Sequence, residues 1–141
     1  MRRLSLPLLG LLGLLASPMV ATAQDVWPPA LVASLSFNPG RHTMVILWNA
    51  PGNDCNDGTA VAYELRYSTS PINAGNFASA TLITTPTPSI AGTQECADVS
   101  GLGQGTLYYF AIRTRDAANN WSPLTFGSQS TNSSGPENVC A

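Results

Sequence analysis

Apolar and polar side chains alternate along most of this chain, and three stretches carry the pattern cleanly. In "TMVILWNAP" (43–51), Met44, Ile46 and Trp48 share one face, with Val45 and Leu47 on the other. In "VAYELRYST" (61–69), Tyr63, Leu65 and Tyr67 point one way, Glu64 and Arg66 the other. "TLYYFAIRTRD" (106–116) repeats the arrangement, with Tyr108, Phe110 and Ile112 inward and Tyr109, Arg113 and Arg115 outward. A period of two belongs to strands with one buried face. Weaker strands are expected at 30–36, 80–84, 95–100 and 124–130. Turn-forming segments separate them: "FNPGRH", "PGNDCNDG", "SPINAGN", "TPTPSIAG", "GLGQG" and "DAANN". Pro and Gly recur too often for a long helix. Seven short strands at even spacing, with no internal repeat, predict an all-β chain: a seven-stranded antiparallel two-sheet sandwich, immunoglobulin-like.

The first residues follow another pattern. Met1-Arg2-Arg3 is a cationic start, Leu4 to Ala16 is apolar, and Ala21-Thr22-Ala23 supplies the small-x-small pattern of a cleavage site. The apolar run is shorter than the roughly 20 residues a bilayer span needs, and Pro18 breaks it. The expected organisation is a signal peptide over 1–23, one sandwich domain over 24–131, and a polar, loosely held tail over 132–141. The product is expected to be exported, secreted or periplasmic, with no membrane insertion after cleavage.

Charge narrows the partners. The chain holds six Arg, no Lys and eight acidic residues, and losing Arg2 and Arg3 moves the formal net charge from −2 to about −4. Nucleic acid and anionic lipid both call for clustered cations, so neither is expected as a partner. Three cysteines, Cys55, Cys96 and Cys140, allow an exported chain one disulfide and one leftover thiol.

Four segments carry a resemblance. "PPALVASLS", "ILWNAPG", "AYELRYSTS" and "VSGLGQGTLYYFAIRTRD", the last followed by "NNWSPL", together resemble a fibronectin type III domain over Trp27 to about Ser130. The long Asp/Asn/Gly loop and the "LRYSTSPI…NFASAT" segment look most like the bacterial form. The resemblance implies that Trp48 fills the space between the sheets, with Tyr63, Leu65 and Phe110 around it. It implies that Leu102 plugs the crossing between sheets and that Tyr108 ties its hydroxyl back to the backbone near Leu102. Gln104 stands where the family often has Pro, which should loosen that turn. In the family's topology the Trp48 strand pairs with the Cys96 strand, and the loop after Trp48 shares a pole with the start of that partner. The resemblance therefore implies a Cys55–Cys96 disulfide, with Cys140 free or intermolecular. A ten-residue tail from Asn132 still has the length to reach back, so pairing through Cys140 stays open.

Several residues are of types that carry chemistry. Asn53, Asp57, Gly58 and Glu64 stand at positions 1, 5, 6 and 12 of an EF-hand pattern. Position 3 would be Cys55, a soft ligand, and Glu64 lies mid-strand, so that pattern is set aside. Asp54, Asp57 and Asp116 can share one pole as a looser calcium site, although Asn and Asp there also serve as turn caps. His42, the only histidine, falls in a turn, and no nucleophile–base–acid set, phosphate loop or zinc spacing is present. Glu64, Arg66, Arg113 and Arg115 read as an exposed cross-strand charge pattern. Trp121 either stacks on a sugar, anchors a protein partner or folds down as a cap over the sandwich end. Asn120 and Asn132 begin glycosylation sequons.

The functional expectation is an exported, non-enzymatic binding or adhesion module without a cofactor. Its partner is an unknown protein or polysaccharide at the cell surface or envelope, met through Asn53, Asp54, Asp57, Asp116, Asn120 and Trp121. The alternatives are an accessory or spacer domain serving an extracellular polysaccharide-degrading enzyme, and a calcium-stabilised adhesin unit.

Overall fold

A computed structural model describes residues 24–141; the expected signal segment lies outside the described residues. Seven strands follow one another: β1 (Ser36–Pro39), β2 (Thr43–Asn49), β3 (Ala62–Ser68), β4 (Thr81–Ile83), β5 (Gln94–Ser100), β6 (Leu107–Arg115) and β7 (Thr125–Ser130). They form a three-stranded sheet in the order β1-β2-β5 and a four-stranded sheet in the order β4-β3-β6-β7. Every pairing is antiparallel. This is the predicted two-sheet sandwich.

The inward positions read from the alternation fill its centre. Met44, Ile46, Leu65, Phe110 and Ile112 are fully buried, and Trp48 is 2% exposed. The indole of Trp48 meets the Tyr63 ring edge-on at 5.1 Å between centroids. Such a pair adds to plain area burial because the ring edge and ring face carry opposite partial charge. At the far end, the Gly103 N–H donates to the Tyr108 hydroxyl oxygen at 2.8 Å. Neighbouring Leu102 is buried, its N–H bonded to the His42 carbonyl at 3.0 Å. His42 Nδ1 donates in return to the Leu102 carbonyl at 2.8 Å, so the histidine closes a turn.

β1 lies further along the chain than expected, at 36–39 instead of 30–36. The turn after it sets Pro39 opposite Met44, so the ladder runs out at Ser36 opposite Leu47. Upstream of that point the N-terminal segment leaves β2, which runs on to Asn49 paired with β5 alone. Val32 is instead buried, and its carbonyl accepts the Thr125 hydroxyl at the start of β7.

Two expectations about the cysteines and the tail are corrected. The tail is tied down at its start and again from Glu137 to Cys140. Asn132 donates through its N–H to the Gly40 carbonyl at 2.9 Å, and Glu137 Oε2 accepts the His42 N–H at 2.8 Å. Asn138 donates to Thr43 Oγ1 at 2.9 Å and to Asn38 Oδ1 at 3.0 Å. Asn38 is the ladder partner of Val45, which faces away from the core yet is only 3% exposed. The tail thus runs over the outer face of the three-stranded sheet.

It ends in the disulfide, which joins Cys96 to Cys140, with 6.1 Å between Cα atoms; Cys55 is a free, exposed thiol and not the partner of Cys96. The reason is the period of two. Glu95 and Ala97 are buried toward the core, so Cys96 between them turns outward, to the face where the tail arrives. Cys55 lies in a loop folded toward the N-terminal segment. Its N–H donates to the Pro28 carbonyl at 3.2 Å, and its carbonyl accepts the Ala30 N–H at 3.0 Å.

Candidate functional site

The pole opposite the Tyr108 corner gathers the loop 50–61, the β4–β5 segment 84–93, the β6–β7 segment 116–124 and residues 24–30. The long loop is held by its own backbone. Gly52 N–H donates to the Cys55 carbonyl at 3.0 Å, Asn53 N–H to Asp57 at 2.7 Å and Asp57 N–H to Asp54 at 3.0 Å. A side chain at Gly52 would place its Cβ 2.1 Å from the Asp57 carbonyl oxygen, so only glycine permits this fold-back. Cys55 takes a positive φ of 54°, a left-handed conformation uncommon outside glycine and asparagine.

Three neighbours latch the loop. Asn53 Oδ1 accepts the Ala117 N–H at 3.2 Å from the β6–β7 side. Ala91 N–H reaches the Gly58 carbonyl at 3.0 Å, and Gly92 N–H the Ala50 carbonyl at 2.8 Å, from the β4–β5 side. The Cys55 pairing with Pro28 and Ala30 supplies the third. The turn-rich middle of this loop, 52–59, has no apolar side chain apart from the Cys55 thiol and is in this way ordered mainly by backbone hydrogen bonds.

The proposed ligand residues divide into two groups. Asp116 is fully buried. Its Oδ1 accepts the Asn120 N–H at 2.8 Å, and its Oδ2 accepts Asn120 Nδ2 at 2.8 Å. Asn120 Nδ2 also reaches the Asp25 carbonyl at 3.2 Å. Asp116 and Asn120 therefore satisfy each other and shape the β6–β7 turn. Asp54 and Asp57 are exposed. Partial desolvation, then the neighbouring Asp25 carboxylate, raise the Asp54 carboxyl above its usual value, and Asp116 adds to the shift. Among the described residues no three His, Cys, Asp or Glu side chains converge as a metal cluster. Glu64, the last residue of the EF-hand pattern, is taken up by arginines.

Trp121 lies on the outer face of the four-stranded sheet and not over the sandwich end. The Arg113 guanidinium sits 4.1 Å from its ring centroid and Arg115 5.7 Å away. Arg113 also lies 5.1 Å from the Phe77 ring, and Arg66 5.5 Å from it. Glu64 accepts Arg66 Nε at 2.7 Å and Arg113 Nε at 2.8 Å. Burial works against the charged form of Glu64, but the hydrogen bonds from Arg113 and Arg66 outweigh it, leaving the carboxyl below its usual value. The charges expected to be exposed are half-buried between two aromatic rings, which strengthens cation–π contact. The alternation located the arginines on one face. It carried no sign of Phe77, which reaches that face from a short 3-10 turn, Phe77–Ser79.

Two further features left no sequence signal. Glu95 is 8% exposed and faces the core beside Trp48, its ladder partner; its Oε1 accepts the Ser89 N–H. Burial holds the Tyr63 hydroxyl well above its ordinary range; Trp48 works against it, and the nearby Glu95 adds to the rise. An open groove of about 300 Å³ runs between the N-terminal segment and the long loop, lined by Leu31, Ala33, Ala50, Pro51, Asn56 and Ala91.

No known family model matches the chain. Its sequence is similar to part of the calcium-activated chloride channel regulator 1 of Mus musculus, 28% identical over 116 residues. That match covers 77% of this chain and 13% of the mouse protein, so the chain spans a small fraction of that relative's length. Among solved structures it is similar to the sixth fibronectin type III domain of human fibronectin type III domain containing protein 3. The TM-score is 0.48 at 17% identity, covering 83% of this chain and 99% of that one. It is also similar to human cardiac titin module A71, with a TM-score of 0.39 at 20% identity, covering 72% and 86%. The strand order of the two sheets and the Tyr108 corner make the fold that of a fibronectin type III domain.

Proposed function

We propose that this chain is an exported, non-enzymatic binding module that presents the pole around residues 50–61 to a partner at the cell surface or envelope. One observation carries the reading. A long polar loop is latched to two neighbouring segments by backbone hydrogen bonds and to a third through the Asn53 side chain, so the surface it offers is already ordered before anything binds. A preorganised surface avoids the entropy of ordering a loop at the moment of contact. Export is supported by the cationic and apolar start followed by small residues, and by a disulfide, which persists in oxidising compartments. Among the described residues no helix is long and apolar enough to cross a membrane.

A spacer or accessory role in a larger polysaccharide-degrading assembly is the second reading. The similarity to a segment that makes up only 13% of a far longer protein favours its spacer part and carries nothing about polysaccharide.

The test is capture. The exported protein is immobilised and challenged with a native cell-surface fraction, beside a variant with Asn53, Asp54 and Asp57 replaced by Ser. A component retained by the wild type and lost by the variant supports the binding module. A spacer captures nothing, and substrate turnover abolished by mutating one polar cluster contradicts both readings.

A further inference from the structure

We infer that the groove between the N-terminal segment and the long loop docks an extended protein segment that sets an apolar side chain between basic residues. The inference rests on the binding-module reading and gives that partner its chemistry. The lining is mostly apolar, with Leu31 and Ala33 on one side and Ala50, Pro51 and Ala91 on the other, and Asn49 and Asn56 are its polar members. Leu31 is 48% exposed, and Ile90, beside Ala91, is 65% exposed. Large aliphatic side chains left open around a groove mark a contact surface more often than isolated ones do. The walls do not need to move. Ala50 N–H bonds the Thr93 carbonyl at 2.8 Å and Gly92 N–H bonds the Ala50 carbonyl at 2.8 Å.

Size selects the occupant. At about 300 Å³ and open to solvent, the groove falls at the lower end of pockets that enclose a whole small molecule. It suits one or two side chains projecting from a larger body. No aromatic ring lines it, so a sugar has nothing there to stack on.

Charge selects the flanks. Asp57 adjoins the groove-lining Asn56, Asp54 precedes it by two residues, and neither forms an ion pair among the described residues. The cations of the described chain are committed elsewhere. Arg41 pairs with Glu137, Arg66 and Arg113 with Glu64, and Arg115 bonds Asn119 at 2.6 Å. Asp54 is already crowded by the Asp25 carboxylate, and a cation placed there relieves that repulsion. A partner with Lys or Arg on either side of its apolar residue meets this pole with complementary charge.

The experiment uses the isotope-labelled exported protein and a synthetic peptide, Lys-Lys-Gly-Leu-Leu-Gly-Lys-Lys, followed by amide chemical shifts at low salt. Two control peptides replace the lysines by Glu, or the leucines by Ser. The inference expects shift changes at the amides of Leu31, Ala33, Ala91 and Gly92. It expects binding about tenfold weaker or worse for each control and for a protein carrying Asp54→Asn and Asp57→Asn, the charge effect shrinking as salt is added. Ala33→Trp, which fills the groove from an exposed position, should abolish the shifts with the fold intact. Shifts elsewhere, no shifts, or equal binding of the Glu peptide overturn the inference. A concentration-dependent dimer mapping to the groove also overturns it, by giving the surface to a second copy. If the peptide fails while the capture experiment succeeds, the groove assignment alone falls. If capture is lost, the binding-module reading falls with it.

Discussion

Cys96 and Cys140 are joined across the outer face of the three-stranded sheet, 44 residues apart in sequence. The bridge fastens a tail that already bonds the β1–β2 turn through Asn132, Glu137 and Asn138. Non-reducing peptide mapping should return one cross-linked pair, Cys96 with Cys140, and alkylation should label Cys55 alone. Cys140→Ser should cost about 4 kcal/mol in the chain-entropy account of loop closure. A cross-linked peptide containing Cys55 would contradict the assignment.

Tyr108→Phe removes the oxygen that accepts the Gly103 N–H, leaving a partly buried donor without a partner. The expected loss is about 1–3 kcal/mol in a denaturant titration. An unchanged midpoint would mean that the corner does not anchor the β5–β6 crossing.

Trp48→Ala opens a cavity between the sheets where the indole packs on Tyr63. Truncating a large buried aromatic costs about 3–5 kcal/mol, which approaches the whole stability of a small domain. A loss below about 1 kcal/mol would be inconsistent with a ring this deeply buried.

Much of this core was legible because the alternation is strong where both faces matter. Observed β3 and β6 fall within one residue of the ends read at 61–69 and 106–116, since apolar and charged residues there leave one register available. The cysteine pairing was not legible in the same way. It depends on which face Cys96 turns toward and on the path of a tail held by Asn and Glu side chains, and neither bond type leaves a periodic pattern. The sequence left the role of Trp121 open for a related reason: its position is set by Arg113, and an aromatic–cation stack is invisible to spacing along one strand. The Asp residues of the pole look alike in sequence. Only the fold separates buried Asp116, bonded to Asn120, from exposed Asp54 and Asp57.

Glu64 and Asp54 should pull stability in opposite directions with pH. Glu64 has a folded pKa below the ordinary glutamate value, so its contribution is complete above that ordinary value and is lost as pH falls through the lower folded pKa. Asp54 has a folded pKa above the ordinary aspartate value, so its ionisation disfavours the fold, and the penalty fades as pH falls from the raised folded pKa to the ordinary one. Urea titrations between pH 7 and pH 3 should show Glu64→Gln flattening the acid loss, and Asp54→Asn gaining stability at neutral pH only. Parallel curves for wild type and Glu64→Gln would rule out the Arg66–Glu64–Arg113 linkage as a source of stability.

Whether the pole is ordered before binding is the point on which the functional account turns, and amide hydrogen exchange on the free protein measures it. The N–H groups of Asn53, Cys55 and Asp57 lie in an outwardly polar loop, yet each donates to a backbone carbonyl at 2.7 Å, 3.2 Å and 3.0 Å respectively. They should exchange on the order of a hundredfold more slowly than unstructured amides. Gly52→Ala, whose new methyl group would collide with the Asp57 backbone, should erase that protection while the amides of β3 and β6 keep theirs. Exchange of Asn53, Cys55 and Asp57 at the unstructured rate in the wild type would contradict the account, because the loop would then have no fixed surface to present.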